Sequence, residues 1–101
     1  MNLTIQIPHG THSEALYAHA ERAIRFALTR FGETVTDVRL RLVDENGPRG
    51  GVDQRCRVQV TLAQGGSINL EGASADPFAA IQHVIARVAR TVSRRLSRSR
   101  R

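Results

Sequence analysis

The sequence has no lysine, no tryptophan, a single cysteine (Cys56) and only four aromatic residues, Tyr17, Phe26, Phe31 and Phe78, among 101 positions. One cysteine excludes an intramolecular disulfide, so the fold must be held by packing, and a reducing compartment suits it. So few aromatics mean an aliphatic core. The N-terminus, MNLTIQIPHG, lacks the basic region and apolar run of a secretory signal. No apolar stretch is long enough to span a bilayer. The expectation is a soluble, cytoplasmic protein of one small domain.

Acid is missing too, but only locally. Residues 77–101 hold seven arginines and no Asp or Glu (+7), whereas residues 1–76 hold eight arginines against nine acids (−1). That asymmetry points to a polyanion, nucleic acid before an anionic membrane. With lysine absent, every basic residue is an arginine, whose planar fork binds phosphate oxygens bidentately and stacks on bases.

What is present reads as six elements. Leu3, Ile5 and Ile7 alternate with polar residues, the period of a half-buried strand. Ser13 as N-cap and Glu14 in the first turn open a helix whose apolar stripe is Leu16, Ala20, Ile24, Ala27 and Phe31, closed by Gly32. Val38, Leu40 and Leu42 mark a second strand. Cys56, Val58, Val60 and Leu62 mark a third, and Gly65-Gly66 turns it into a fourth through Ile68 and Leu70. Asp76-Pro77 starts a long second helix with the inward stripe Phe78, Ile81, Ile85, Val88 and Val92. The predicted fold is α+β, in the order β-α-β-β-β-α. A four-stranded sheet carries both helices on one face, and the first two strands are parallel across a right-handed crossover. Residues 1–96 form the domain and 97–101 a basic tail.

His83, Arg87, Arg90, Arg94 and Arg98 recur at steps of four, three, four and four, which puts them on one stripe of the second helix. The arginines therefore begin inside a helix. A solvated face normally mixes charges, and this one has no acid for 25 residues. Arg95 belongs to the same basic stretch. A second set, Arg39, Arg41, Arg55 and Arg57, faces outward from the sheet, where Asp37, Asp53 and Glu71 are available as ion-pair partners.

Motifs for chemistry are absent. The Gly-rich run 47–51 lacks the lysine and following helix of a phosphate loop, and reads as a connection between strands in which Arg49 at most touches a phosphate. His9 and His12 flank Gly10, but the inward-facing Cys56 completes neither a zinc site nor a thiol–imidazole pair with them, His19 or His83. Cys56 reads as a small core residue. No enzyme, cofactor, metal or small-molecule substrate is expected.

The stretch ADPFAAIQHVIARVARTVSRRLSR, residues 75–98, resembles the closing helix of the short form of the ribosome hibernation-promoting factor family (ribosome-associated inhibitor, or sigma-54 modulation protein). The matching features are an Asp, an aromatic, Ala-Ala-Ile and basic residues at Arg87, Arg90, Arg94 and Arg98. GGSINLEGAS, residues 65–74, resembles the preceding hairpin and strand, and Glu14-Ala15-Leu16 with Phe31 match the first helix. Basic positions of that helix are displaced here: Ala23 and Phe26 stand where the family has them, and Arg22 and Arg25 sit one residue earlier.

The resemblance implies a fold like that of double-stranded RNA-binding domains. It also implies binding to rRNA of the small ribosomal subunit, in the channel of mRNA and tRNA. The protein, a monomer when off the ribosome, would when bound there block tRNA and initiation-factor binding under stress, without a chemical step. Arg22, Arg25, Arg55 and Arg57 join the α-helical arginines and His83 as candidate RNA contacts. The alternatives from the residues are a structured-RNA-binding domain without ribosome specificity, a basic adaptor for an acidic protein or membrane surface, and, last, an enzyme built on Cys56.

Overall fold

The structure, a computed structural model, describes residues 1–10, 12–45 and 54–99. Strand β1 (Asn2–Gln6) leads to helix α1 (Ser13–Leu28), strands β2 (Val35–Asp44), β3 (Gln54–Leu62) and β4 (Ser67–Ser74), and helix α2 (Pro77–Ser99). The four strands are ordered β1-β2-β3-β4, with β1 parallel to β2 and the other two pairings antiparallel. This is the β-α-β-β-β-α arrangement read from the periodicity. The polar connection 46–53, with Arg49 and Asp53, and the last two arginines, Arg100 and Arg101, lie outside the described residues.

Alternation in β2 and β3 sends Val38, Leu40, Leu42, Cys56, Val58 and Val60 to one face, where each is 3% exposed or less. Ile24 and Leu28 of α1, and Ile81, Val84, Ile85, Val88 and Val92 of α2, close over that face. Both helices thus cover one side of the sheet, and the other side is left to solvent. The β3–β4 hairpin needs its two glycines: Gly65 and Gly66 have φ of 101° and 86°, a region side chains avoid. Leu62 N–H donates to the Gly66 carbonyl (3.1 Å) and Gly65 N–H to the Leu62 carbonyl (3.0 Å). At the start of α2, Asp76 Oδ1 accepts from Phe78 N–H at 2.9 Å, the expected cap.

Four details depart from the sequence reading. The N-cap of α1 is His12, not Ser13; its carbonyl accepts the first helical bond from Leu16, while a turn between Gly10 and Ser13 already commits Ser13 to the helix. Helix α1 ends at Leu28, which is fully buried, and Phe31 and Gly32 (φ 58°) belong to a 3-10 segment, Thr29–Thr34, that carries the chain into β2. A bulge between Val35 and Asp37 allows Val35 and Val38, an odd number of residues apart, both to face the core. Thr36 Oγ1 donates to the Thr61 carbonyl across it (3.2 Å). Finally, α2 runs through Ser99, so Arg98 stands on the helix and the boundary at residue 97 falls within it.

Among the described residues no polar or charged residue is fully buried. One enclosed polar atom stands out: His19 packs edge-on against Phe78, ring centroids 5.3 Å apart, and its Nε2 has no hydrogen-bond partner there.

Candidate nucleic-acid interface

Helix α2 positions its arginines by burying the opposite side. Ile81, Ile85, Val88 and Val92 press on the sheet, so residues about half a turn away face outward. His83, Arg87, Arg90, Arg94 and Arg98 are all exposed, on the stripe the spacing predicted. Arg90 and Arg98 have no ionic or hydrogen-bonding partner among the described residues. Arg94 Nη2 reaches Thr91 Oγ1 at 3.3 Å, and Thr91 Oγ1 in turn donates to the Arg87 carbonyl at 2.9 Å.

Arg87 behaves differently from its neighbours. Its Nη1 donates to the Glu71 backbone carbonyl of β4 at 2.9 Å, so the side chain lies along the sheet edge. Gly72 lets α2 pack closely on β4: a Cβ there would stand 3.0 Å from Val84 Cγ2, tighter than ordinary contact, and at an ordinary 3.8 Å from Arg87 Nη1. Arg95 is exposed but off the stripe, beside the β3–β4 turn; a Cβ on Gly66 would lie 3.8 Å from its Nη1.

On α1, Arg22 and Arg25 are both exposed, with Arg25 Nε 3.8 Å from Glu21 Oε1. Between them and the C-terminal end projects Phe26, 92% exposed. Arg30, which the sequence reading left out, covers the Phe31 ring at 4.6 Å. It also lines a groove of about 290 Å³ with Ser93 and Ser97 of α2. The only sequence signal for it was its place just beyond the helix, beside an aromatic.

The sheet set divides. Arg55 is held by Glu45 (3.0 Å) and Glu71 (3.3 Å), and Arg57 by the other oxygen of Glu71 (3.2 Å). Glu71 was the anticipated partner, whereas Asp37 accepts from Asn2 Nδ2 at 3.3 Å instead. Glu45 was not anticipated, because its reach depends on how the strand ends. Arg39 and Arg41, on the same face, have no such partner among the described residues.

Cys56 is fully buried, and burial pushes its thiol from 9.0 up to about 12. A thiolate nucleophile there would have to form inside the aliphatic core. Among the described residues no group of three or more His, Cys, Asp or Glu side chains could hold a metal, and no helix is long and apolar enough to cross a membrane.

Two helices on one face of a mixed four-stranded sheet, the second with exposed arginines from Arg87 to Arg98, define a small α+β domain. Its fold is similar to that of a ribosomal subunit interface protein from Coxiella burnetii (TM-score 0.76, 14% identity, covering 96% of this chain and 99% of that one). It is also similar to the N-terminal domain of Protein Y from Thermus thermophilus (TM-score 0.70, 22% identity, 93% and 98% covered). The profile of the sigma 54 modulation protein / S30EA ribosomal protein family matches residues 3–100, and the chain belongs to that family. A comparison with curated proteins finds no match.

Proposed function

We propose that this protein is a cytoplasmic, ribosome-bound inhibitor of translation that docks on rRNA of the small subunit. In this reading it occupies the mRNA and tRNA channel and excludes tRNA and initiation factors by its bulk. The observation that carries the reading is the outer face of α2, where Arg90, Arg94 and Arg98 stand exposed and, among the described residues, without acidic partners, on a helix anchored by its buried stripe. Guanidinium groups on a rigid helix neutralise phosphates without the backbone having to be ordered first. Contacts of this kind favour the shape of folded RNA over its sequence. Family membership and the two structural likenesses support the ribosome as the partner. No step of covalent chemistry is involved.

The test is a sucrose-gradient profile of ribosomes with the purified protein, beside a translation assay. Wild-type protein should travel with the small subunit or the whole ribosome and slow translation. An Arg90→Glu/Arg94→Glu protein, still folded, should stay at the top of the gradient and leave translation untouched. Wild-type protein that remains at the top while binding free structured RNA would support the second reading, a structured-RNA-binding domain without ribosome specificity. That reading draws on α1, whose outer face presents Phe26 and an arginine leaning on Glu21.

A further inference from the structure

The outer face of the sheet carries a second basic cluster. The register sets Arg41 directly opposite Arg57, Arg39 opposite Gln59, Arg57 opposite Glu71 and Gln59 opposite Asn69. These six side chains line one open groove of about 350 Å³. Directly opposed residues have Cβ atoms about 4.5–5.5 Å apart, and like charges so placed repel. Glu71 relieves Arg57, but its other oxygen is already engaged by Arg55. Arg39 and Arg41 find no acid among the described residues, so one carboxylate faces an excess of guanidinium.

The chemistry of the groove favours one kind of ligand. Arginine forks donate two N–H groups to a phosphate, and the amides of Gln59 and Asn69 add neutral donors beside them, although Asn69 already gives one N–H to Ser67 Oγ (3.2 Å). No aromatic side chain lines the groove, so its arginines are matched to phosphate more than to a stack of bases. A bound phosphate would also remove the Arg41–Arg57 repulsion.

We propose that this groove is a second phosphate site, which holds the backbone of a second RNA segment while α2 holds the first. The proposal rests on the RNA-binding reading of α2. The two surfaces lie on opposite layers of the domain, helices on one side and the groove on the other. A single straight run of phosphates cannot touch both, and the domain becomes a bridge between two RNA segments.

Nuclear magnetic resonance of the arginine Nε–H groups tests this directly. A short RNA hairpin is titrated into the wild-type, Arg90→Glu/Arg94→Glu and Arg39→Gln/Arg41→Gln proteins, with pyrophosphate as a separate arm. The Arg39 and Arg41 signals should shift with hairpin in the wild type and still shift in the α2 variant. Wild type should saturate at two hairpins per protein, and the Arg39→Gln/Arg41→Gln protein at one. Sheet signals that stay still at excess hairpin, or that move only while the α2 arginines are intact, would overturn the proposal. So would pyrophosphate saturating them at no higher concentration than the hairpin, which would mark a site for small phosphates. If the sheet signals move and those of α2 do not, the reading of α2 fails and the groove remains.

Discussion

Helices α1 and α2 do the same work inside the protein and opposite work outside it. Each lays an apolar stripe on the same face of the sheet: Leu16, Ala20, Ile24 and Leu28 from one, Ile81, Ile85, Val88 and Val92 from the other. Outward, α1 is neutral, with Glu14 and Glu21 against Arg22 and Arg25 and the exposed ring of Phe26 among them. Outward, α2 has no acid at all. Packing constrains only one side of a helix, so the other side is free to record something else. A neutral face is enough for solubility. A face whose arginines have no acid on their own helix is not required by the fold, and the proposed function rests on it.

The strongest way to break this comparison is to attack the shared role. Ile24→Asp and Ile85→Asp each place an unpaired carboxylate where the side chain is 0% and 1% exposed. Both should lose about 4 kcal/mol or more and unfold at ordinary temperatures, followed by urea or thermal melts. Unchanged melting in either would show that its helix is not part of the core.

The outer faces should differ where the inner ones agree. Arg90→Glu/Arg94→Glu should abolish association with ribosomes in a gradient, and Arg22→Glu/Arg25→Glu should only weaken it. With RNA as ligand, each single Arg→Ala on α2 should make the salt slope shallower by about 0.7–0.9. Equal losses from the two helices would mean that α1 contributes as a binding surface despite its neutrality.

Beneath both helices, Cys56 gives a pH signature of the common core. Its thiol titrates at about 12 in the folded protein against 9.0 ordinarily. Below pH 9.0 the thiol is neutral folded or unfolded, and stability is untouched. Between 9.0 and about 12 only the unfolded chain loses the proton, so stability should fall by about 1.4 kcal/mol per pH unit from this group. The Cys56→Ala protein should lack that component, and native Cys56 should react slowly with thiol reagents at neutral pH. Fast native labelling would mean that β3 presents its other face to the helices.

The smallest effect separates two arginines of the same stripe. Arg87→Ala should lower stability by roughly 0.5–1 kcal/mol, because it removes the bond to the Glu71 carbonyl. Arg90→Ala should leave the melting temperature unchanged. Equal melting of the two proteins would show that the Arg87 contact adds nothing in solution.

These contrasts also separate what could be read along the chain from what could not. Element order and the inward stripes follow from periods of two and of about 3.6, which neighbouring residues express by themselves, and the parallel β1–β2 pairing from the crossover through the helix between them. The basic stripe of α2 was legible for the same reason: Arg87, Arg90, Arg94 and Arg98 need only a helix to be aligned. Local pattern was less exact at the ends of α1, where a turn at Gly10 moved the N-cap to His12 and a 3-10 segment removed Phe31 from the helix. The bulge that buries both Val35 and Val38 breaks the strand period itself.

Which arginines remain available was decided only in three dimensions. Of the four sheet arginines the sequence reading took Arg55 and Arg57 as RNA contacts, yet β4 brings Glu71 to that pair and leaves Arg39 and Arg41 without it. Arg87 shares its stripe with Arg90, yet its place on the helix brings it to the Glu71 carbonyl of β4. A helix or strand period is a property of adjacent residues and is written in their order. An ion pair, or a helix side chain's bond to a strand, depends on the register between strands distant in sequence and on how closely helix and sheet approach, and those are settled only when the layers pack.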